Sequence, residues 1–181
     1  MVEIYDKVIP KDLLTDIYYY LRYDHNWHFS KDDSATNKAI EAQTPVTLGT
    51  SRNIDEFELY HFSLLHILEE NWDISRITRS LTNCFRKGDN PQYHQDSIGV
   101  VDNKPDRTFI FYPNLIWHEE WGAHTKIKIP GEKVKKIYTK PGRLIVFEGH
   151  LWHTGTRCTK KMPDYLPGRF SIAFQEGDKY P

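Results

Sequence analysis

The sequence is poor in cysteine, and it lacks both long apolar runs and an excess of charge of either sign. Its 181 residues include two cysteines, Cys84 and Cys158, which are too few for a disulfide framework and favour a reducing compartment. No run is long and apolar enough to predict a transmembrane helix, and the N-terminus has neither the basic nor the apolar region of a signal peptide. These absences predict a cytoplasmic protein with no membrane partner.

Charge is nearly balanced, at 24 Lys+Arg against 25 Asp+Glu, so the chain carries no global basic footprint and nucleic acid is not expected as a partner. Residues 126–140 are locally basic, and we interpret their lysines as the solvated face of edge strands. The composition, 39% hydrophobic and 27% charged, is typical of a folded globular chain. It predicts no particular oligomeric state.

The N-terminal part, residues 1–74, is predicted to be a helical and loop support region within a single domain spanning 1–181. It should contain, in order, a strand at 2–9, a helix at 11–23, a mostly loop segment at 24–52 and a helix at 55–70. Apolar side chains recur at helical spacing in both helices, and Pro10 suits the first turn of the earlier one. These helices are expected to cover the outer face of a sheet.

From residue 75 to residue 178 the pattern changes to short strand-like runs separated by turn signals. Predicted strands fall at 77–85, 93–101, 108–112, 124–129, 134–139, 143–147, 151–156 and 169–175. Pro-Gly pairs such as Pro130-Gly131 and Pro141-Gly142 mark turns between them. About eight strands predict a mainly β fold with N-terminal helices and a double-stranded β-helix core, the jelly-roll architecture that includes the cupins.

The tripeptide His94-Gln95-Asp96 contains the first candidate metal ligands. In an extended strand, residues two apart point to the same face, so the imidazole of His94 and the carboxylate of Asp96 can converge on one ion. Two histidines and a carboxylate form the facial triad associated with non-haem Fe(II) oxygenases. The tripeptide alone is also compatible with a polar strand end that makes ordinary surface contacts.

The third ligand must come from elsewhere, and His153 is the preferred candidate. It begins a predicted strand after a turn, an apolar strand and a second turn, within the segment 141–153. His150 competes for the same role, but it follows Glu148-Gly149 and is expected to lie in the turn itself. His118 and His124 are further candidates that we interpret as ordinary structural histidines.

Arg169 points to an anion beside the proposed metal. In the predicted strand 169–175, alternation places Arg169 and Ser171 on one face and Phe170 on the other. A buried guanidinium on a face of small residues needs an anion, and its planar fork suits a carboxylate. The natural anion is the distal carboxylate of a keto acid chelated to the metal; the alternative is an edge-strand Arg that reaches solvent.

With these residues in place, the chain resembles the 2-oxoglutarate- and Fe(II)-dependent dioxygenases, particularly their prolyl 4-hydroxylase-like branch. The resemblance covers residues 2–175 and is specific from Cys84 onward. It is carried by Phe85-Arg86-Lys87-Gly88 before the His-x-Asp motif, by Phe111-Tyr112-Pro113-Asn114 with Trp117, by the turn Trp121-Gly122-Ala123-His124, by the strand 141–147, and by His153 with Arg169-x-Ser171.

The resemblance implies a role for each site residue. His94, Asp96 and His153 would hold Fe(II) and form the catalytic centre, whereas Arg169, Ser171 and the hydroxyl of Tyr112 would bind the distal carboxylate of 2-oxoglutarate. The segment from His153 to Arg169 is longer than in the family, so Arg157 is an alternative carboxylate ligand. Tyr112 is also compatible with plain core packing. The turn departs from the family's Gly-Gly-Glu at Ala123 and His124, which puts the substrate-side loop in doubt.

The reaction implied by the resemblance is hydroxylation of a C–H bond, with O2 as cosubstrate, release of succinate and CO2, and stimulation by ascorbate. A prolyl residue in a peptide or protein is the first expected substrate, and a free amino acid or other small molecule is the alternative. Segments 24–52 and 158–168 are candidate lids. A jelly-roll binding module with a structural ion and a zinc hydrolase are the competing classes.

Overall fold

The computed structural model describes residues 1–27, 48–89, 91–97, 100–101 and 104–177 of the chain. Helix α1 spans Lys11–Tyr19 and continues as a π-helical turn over Tyr20–Asp24. Helix α2 spans Leu59–Glu69 and follows a short 3-10 turn at Ile54–Glu56. A second 3-10 turn lies at Glu119–Trp121. Among the described residues, no helix has the length and apolar character needed to cross a membrane.

The strands are β1 (Val2–Tyr5), β2 (Leu48–Asn53), β3 (Ile77–Phe85), β4 (Val100–Val101), β5 (Lys104–Pro105), β6 (Arg107–Tyr112), β7 (Thr125–Ile127), β8 (Lys135–Ile137), β9 (Arg143–Glu148), β10 (His153–Gly155) and β11 (Arg169–Glu176). A large antiparallel sheet has the order β1-β9-β6-β11-β3-β2, and a small one has the order β10-β7-β8. Within the described ranges, strands β4 and β5 pair only with each other.

The large sheet buries both of its faces. On one face, Phe170, Ile172 and Phe174 of β11 join a core that includes Ile17 of α1 and Leu64 of α2. On the other face, a second core combines side chains of the large sheet with those of the small sheet. The predicted packing of both helices against a sheet is therefore observed, and the alternation of β11 leaves its polar side chains for the space between the sheets.

Two strand predictions are wrong in detail. Residues 93–101 do not form one strand, because the N–H groups of both Asp96 and Ser97 donate to the carbonyl of Gly149, at 2.8 and 3.3 Å, which breaks the ladder. Residues 48–52, part of the segment expected to be loop, belong to β2 and pair with β3 instead. A Cβ at Gly49 would lie 2.8 Å from Oδ1 of Asn83, so a larger residue there would require the Asn83 side chain to shift.

The remaining element predictions differ mainly at their ends. Strand β1 stops at Tyr5 rather than at residue 9, and the α-helical part of the first helix stops at Tyr19. Much of the predicted loop at 24–52, including residues 28–47, lies outside the described residues. The division of the domain at residue 75 stays a prediction; β1 and β2, which precede it, form the two edges of the large sheet.

Candidate metal centre

Two candidate ligands are fixed to each other through the backbone. The N–H of His94 donates to the carbonyl of His153 at 2.9 Å, and the N–H of His153 returns a hydrogen bond of 2.9 Å. His94 therefore lies beside β10 as an isolated antiparallel bridge. The N–H of Asp96 binds the carbonyl of Gly149 in the turn before β10. One short turn thus positions all three residues.

The side chains of His94, Asp96 and His153 converge. Their ligand atoms all lie within 4.8 Å of one another. Nε2 of His94 is 3.6 Å from Oδ1 of Asp96, and Nε2 of His153 is 3.3 Å from Oδ2. The side chain of His94 is 40% exposed whereas those of the other two are 5% exposed, so His94 stands at the mouth of the cluster.

Both imidazoles present Nε2 to the centre because a backbone carbonyl occupies the other nitrogen. Nδ1 of His94 lies 3.1 Å from the carbonyl of Gln92, and Nδ1 of His153 lies 2.9 Å from that of Leu151. A carbonyl oxygen can only accept, so each Nδ1 must carry the proton and each Nε2 keeps a free lone pair when the ring is neutral. This is the tautomer that metal-ligating histidines use.

Asp96 is held by two neighbours from the large sheet. The hydroxyl of Thr108 donates to Oδ2 of Asp96 at 2.7 Å, and Nη2 of Arg79 donates to its main-chain carbonyl at 2.7 Å. Burial alone would raise the pKa of Asp96, but His153, His94 and Thr108 outweigh it and hold the pKa well below its ordinary value. The carboxylate is therefore ionised and ready to bind a cation.

The contact between Asp96 and His153 shifts the pKa of His153 in the opposite direction, upwards. Burial would lower the pKa of His153, but the charge and hydrogen bond of Asp96, together with the carbonyl of Leu151, raise it. A buried imidazole that shares a carboxylate with a second imidazole is a site where a divalent cation can replace protons.

An open pocket of about 390 Å³ lies between the sheets and contains the cluster. Its described lining combines the three candidate ligands with Arg169 and Ser171, as predicted for the pocket face of β11. The other lining residues are Leu81, Asn83, Phe85, Ile110, Thr125, Gly155, Ala173 and Gln175. The predicted metal ligands and the predicted carboxylate-binding pair therefore share one pocket.

Arg169 is buried among aromatic rings without an anion. It is 1% exposed, and its guanidinium carbon lies 4.0 Å from the ring centroid of Phe85 and 5.1 Å from that of Tyr112. Among the described residues, its Nε has no hydrogen-bond partner and its guanidinium forms no ion pair. Burial lowers its pKa, although Arg remains charged. A ligand carboxylate would supply the missing partner.

Tyr112 is placed differently from the expectation. It is fully buried and does not line the pocket; its hydroxyl is 2.6 Å from the hydroxyl of Thr125, which does. Tyr112 packs on Arg169, and its hydroxyl contacts the pocket residue Thr125. Its direct contact with a cosubstrate stays a prediction.

The alternative candidates lie elsewhere. Nε2 of His150 is 3.6 Å from Glu148, and His150 does not line the pocket. His118 packs on Trp121, and His124 packs on Tyr138. Arg157 is exposed and outside the pocket lining. Burial raises the pKa of Cys84 to about 12 and that of Cys158 to about 11, so neither thiol is a ready nucleophile.

Sequence reasoning missed the supporting residues of the centre. Thr108, Thr125 and Gln175 lie on strands whose alternation could be predicted, but their closeness to the cluster depends on long-range strand pairing. Gly155 could have been noticed from the sequence, because a glycine inside a predicted strand indicates close approach of another group. A Cβ there would lie 2.5 Å from the ring of Phe85 and 2.9 Å from Nη2 of Arg169, so only glycine lets the guanidinium occupy its position.

The predicted lid at 158–168 is anchored to the body of the protein. Cys158, Met162 and Leu166 are buried in a small cluster with Phe85 and Trp121. Its movement as a lid stays a prediction, as does that of segment 24–52, most of which lies outside the described residues.

Comparison with known proteins gives a clear result at the level of fold. No protein-family model matches the sequence, and no curated protein matches it. A prolyl 4-hydroxylase from Pseudomonas putida superposes with a TM-score of 0.62 at 12% identity, over 98% of this chain and 92% of that one.

Two further structures extend this likeness. A prolyl hydroxylase from Trichoplax adhaerens, in complex with a peptide fragment of the hypoxia inducible factor oxygen degradation domain, gives a TM-score of 0.66 at 14% identity, over 98% of this chain and 83% of that one. HygX from Streptomyces hygroscopicus, with nickel, 2-oxoglutarate and hygromycin B bound, gives 0.64 at 11% identity, over 99% and 82%.

The chain therefore has the double-stranded β-helix fold of the 2-oxoglutarate-dependent oxygenases, and the predicted fold class is confirmed. Within that class, prolyl hydroxylases are among the structures it resembles over nearly its whole length.

Proposed function

We propose that the protein is an Fe(II)- and 2-oxoglutarate-dependent dioxygenase that hydroxylates a substrate C–H bond. The observation that carries this proposal is the combination, in one pocket, of a His-Asp-His cluster and a buried arginine that lacks an anion. The cluster alone would also suit a structural ion, and the arginine alone would also suit packing between aromatic rings. Together they suit the two ends of a keto acid: the cluster would hold the metal that the keto end chelates, and the arginine would bind the distal carboxylate.

The donor set of the cluster fits Fe(II). His94 and His153 each direct Nε2 to the centre, where a cation can replace a proton, and Asp96 offers an ionised oxygen. These three residues would hold the ion, and with 2-oxoglutarate and O2 it would supply the oxidative decarboxylation that yields succinate and CO2. The protein fixes the ligand geometry through the His94–His153 backbone pair and through Thr108.

Arg169 orients the cosubstrate. A carboxylate beside its guanidinium would satisfy the unpartnered Nε, and the hydroxyls of Ser171 and Thr125 in the same lining can donate to it. Phe85 and Tyr112 hold the guanidinium plane from the sides. The keto end of the acid would then lie towards the His-Asp-His cluster, which lines the same pocket.

The apolar part of the lining would help to exclude water once the pocket is filled. Leu81, Ile110 and Ala173 line the pocket between its polar groups. When cosubstrate and substrate occupy the pocket, exclusion of water would strengthen the electrostatic contacts of Arg169 and Asp96 and limit side reactions.

We propose a prolyl residue in a peptide or protein as the substrate. The likeness to two prolyl hydroxylases, one of them in complex with a peptide, supports this choice. A small molecule is the second candidate, because HygX has a comparable fold and was solved with hygromycin B bound.

Arg169 also separates the oxygenase from its competitors. A zinc hydrolase or a module with a structural ion gives no reason to bury an unpaired guanidinium in the metal pocket, since such a charge is costly without an anion. A 2-oxoglutarate site gives that reason.

The test is turnover. Protein incubated with Fe(II), ascorbate, O2 and 2-oxoglutarate should release succinate, slowly without substrate and faster with it. A screen of prolyl peptides and metabolites should then find a product that has gained one oxygen atom. No succinate from metal-loaded protein, or equal succinate from the His153→Ala variant, would contradict the proposal.

A further inference from the structure

Gln175 presents its amide to the pocket. It lies on β11, lines the pocket and is only 4% exposed. Within the described part of the chain, its side-chain carboxamide makes no hydrogen bond. The amide atoms are not among the fully buried polar atoms, so they face the water of the open pocket, and a ligand amide can replace that water.

Gln175 lies at the metal end of the pocket. On the neighbouring strands its register partners are Thr108 and Arg79, the two residues that donate hydrogen bonds to Asp96. Arg169 is six residues away on the same strand, which corresponds to about 20 Å of extended chain. The two polar side chains therefore mark opposite ends of the pocket.

This separation keeps Gln175 away from the distal carboxylate of 2-oxoglutarate, which Arg169 would bind. At the metal end, the chelating carboxylate and keto group of the acid would be bound to the metal and offer only acceptor atoms. An amide of the substrate is a group that can pair with both the donor and the acceptor of the Gln175 carboxamide. The register of β11 against β3 also shifts between Gln175 and Glu176, an irregularity of the kind that aims side chains at sites.

The charges around Gln175 favour a neutral partner. The adjacent Glu176 is buried, but its carboxylate is already paired with Arg107, whose N–H donates to it at 2.8 Å. Among the described lining residues, the charged groups are the metal cluster and Arg169. A carboxamide presents an acceptor and two donor N–H groups side by side, which complements another amide.

We propose that Gln175 recognises an amide of the substrate next to the carbon that is oxidised. The inference rests on the proposed function and deepens it by naming a substrate group. In a prolyl substrate, the nitrogen of the ring carries no N–H, so only the peptide bond that follows the proline offers both a carbonyl and an N–H. Gln175 therefore contacts the amide on the C-terminal side of the proline.

The test compares the wild type with the Gln175→Met variant on two probe substrates, an amide and an ester. N-acetyl-L-proline N-methylamide and the matching methyl ester differ in one N–H, and Gln175→Met keeps the length of the side chain without its hydrogen-bonding groups. For the wild type, kcat/KM should be roughly 10- to 100-fold higher on the amide than on the ester. For Gln175→Met, the amide should fall to the level of the ester, and the ratio should approach one.

Two controls distinguish a loss of substrate recognition from a loss of folding or of metal geometry. The melting temperature of Gln175→Met establishes that it is folded, and the absorption spectrum of bound Co²⁺ reports the metal geometry. A changed Co²⁺ spectrum with a wild-type amide-to-ester ratio would show that Gln175 orients the metal ligands, and would overturn the inference.

The remaining outcomes are also distinguishable. Succinate release by the wild type without oxidation of the amide probe, or without preference for it over the ester, overturns the inference and leaves the proposed function intact. Absence of succinate from the metal-loaded wild type overturns the proposed function itself.

Discussion

His94 and His153, which are far apart in the sequence, exchange both of their backbone hydrogen bonds, each 2.9 Å long. The ring centroids of the two histidines are 4.3 Å apart, and the carboxylate of Asp96 completes the cluster. Because the backbone fixes the pair, the two Nε2 atoms are positioned before any metal arrives. Preorganisation of this kind predicts tight binding of a divalent cation.

Removing a ligand should abolish that binding. We expect His153→Ala to weaken Co²⁺ affinity by more than about 100-fold, since even outer partners of metal ligands contribute roughly 10- to 100-fold. Calorimetry under anaerobic conditions measures the change. His150→Ala is the matched control, because His150 lies three residues earlier but outside the cluster, and it should bind Co²⁺ as the wild type does.

Thr108 should act on the metal through Asp96. Thr108→Val keeps the shape of the side chain but removes the donor to Oδ2, so the carboxylate loses its orientation. Co²⁺ affinity should fall about 10-fold. Thr139→Val removes a buried hydroxyl that donates to the carbonyl of Ala123, and it should lower stability without changing Co²⁺ affinity. Equal Co²⁺ affinity for Thr108→Val and the wild type would refute this role.

Arg169→Met should remove 2-oxoglutarate binding while it leaves metal binding in place. A buried contact between charged groups accounts for several kcal/mol, so an affinity loss of roughly 100-fold or more is expected in calorimetry with Co²⁺-loaded protein. Stability of the ligand-free protein should stay equal or rise, since the variant no longer buries a cation that lacks a described carboxylate. Arg157→Met, an exposed alternative, should behave as the wild type.

His61 should make the fold sensitive to acid. It is 1% exposed, and burial lowers its pKa from 6.5 to about 3, with Arg52 and His25 adding to the effect. Since the folded pKa is below the unfolded one, the unfolded chain binds the extra proton, and stability falls as pH drops from 6.5 towards 3.

The slope from this one group is at most about 1.4 kcal/mol per pH unit. His61→Gln retains an acceptor for the N–H of Glu58, which now donates to Nδ1 at 2.9 Å, but it cannot titrate. Urea unfolding between pH 7 and pH 4 should show a shallower dependence for this variant. Parallel pH curves for the two proteins would mean that His61 is not the sensor.

The sequence allowed prediction of the chemistry of the centre but not of its supports. The i, i+2 spacing of His94 and Asp96 and the alternation of Arg169 and Ser171 are local, and both pairs lie in one pocket. The partners of Asp96, Arg79 and Thr108, come from strands on either side of β11. Strand order depends on long-range pairing that no local pattern encodes.

Local patterns also misled at two places. Gly49 suggested a loop, whereas it lies in β2 and pairs with Asn83 of β3. Residues 93–101 suggested one continuous strand, whereas the backbone of Asp96 and Ser97 turns to the carbonyl of Gly149. That break brings the carboxylate of Asp96 to the histidines, so the error in strand assignment falls at the functional centre.

The most direct test of the account is anaerobic titration of Fe(II)-loaded protein with 2-oxoglutarate, followed by visible absorption. Chelation of the keto acid should produce a metal-to-ligand charge-transfer band that needs both Fe(II) and 2-oxoglutarate. The band should be absent from His153→Ala, and Arg169→Met should require a roughly 100-fold higher concentration of the acid. Iron-loaded wild type that gives no band, or Arg169→Met that titrates as the wild type does, would contradict the account.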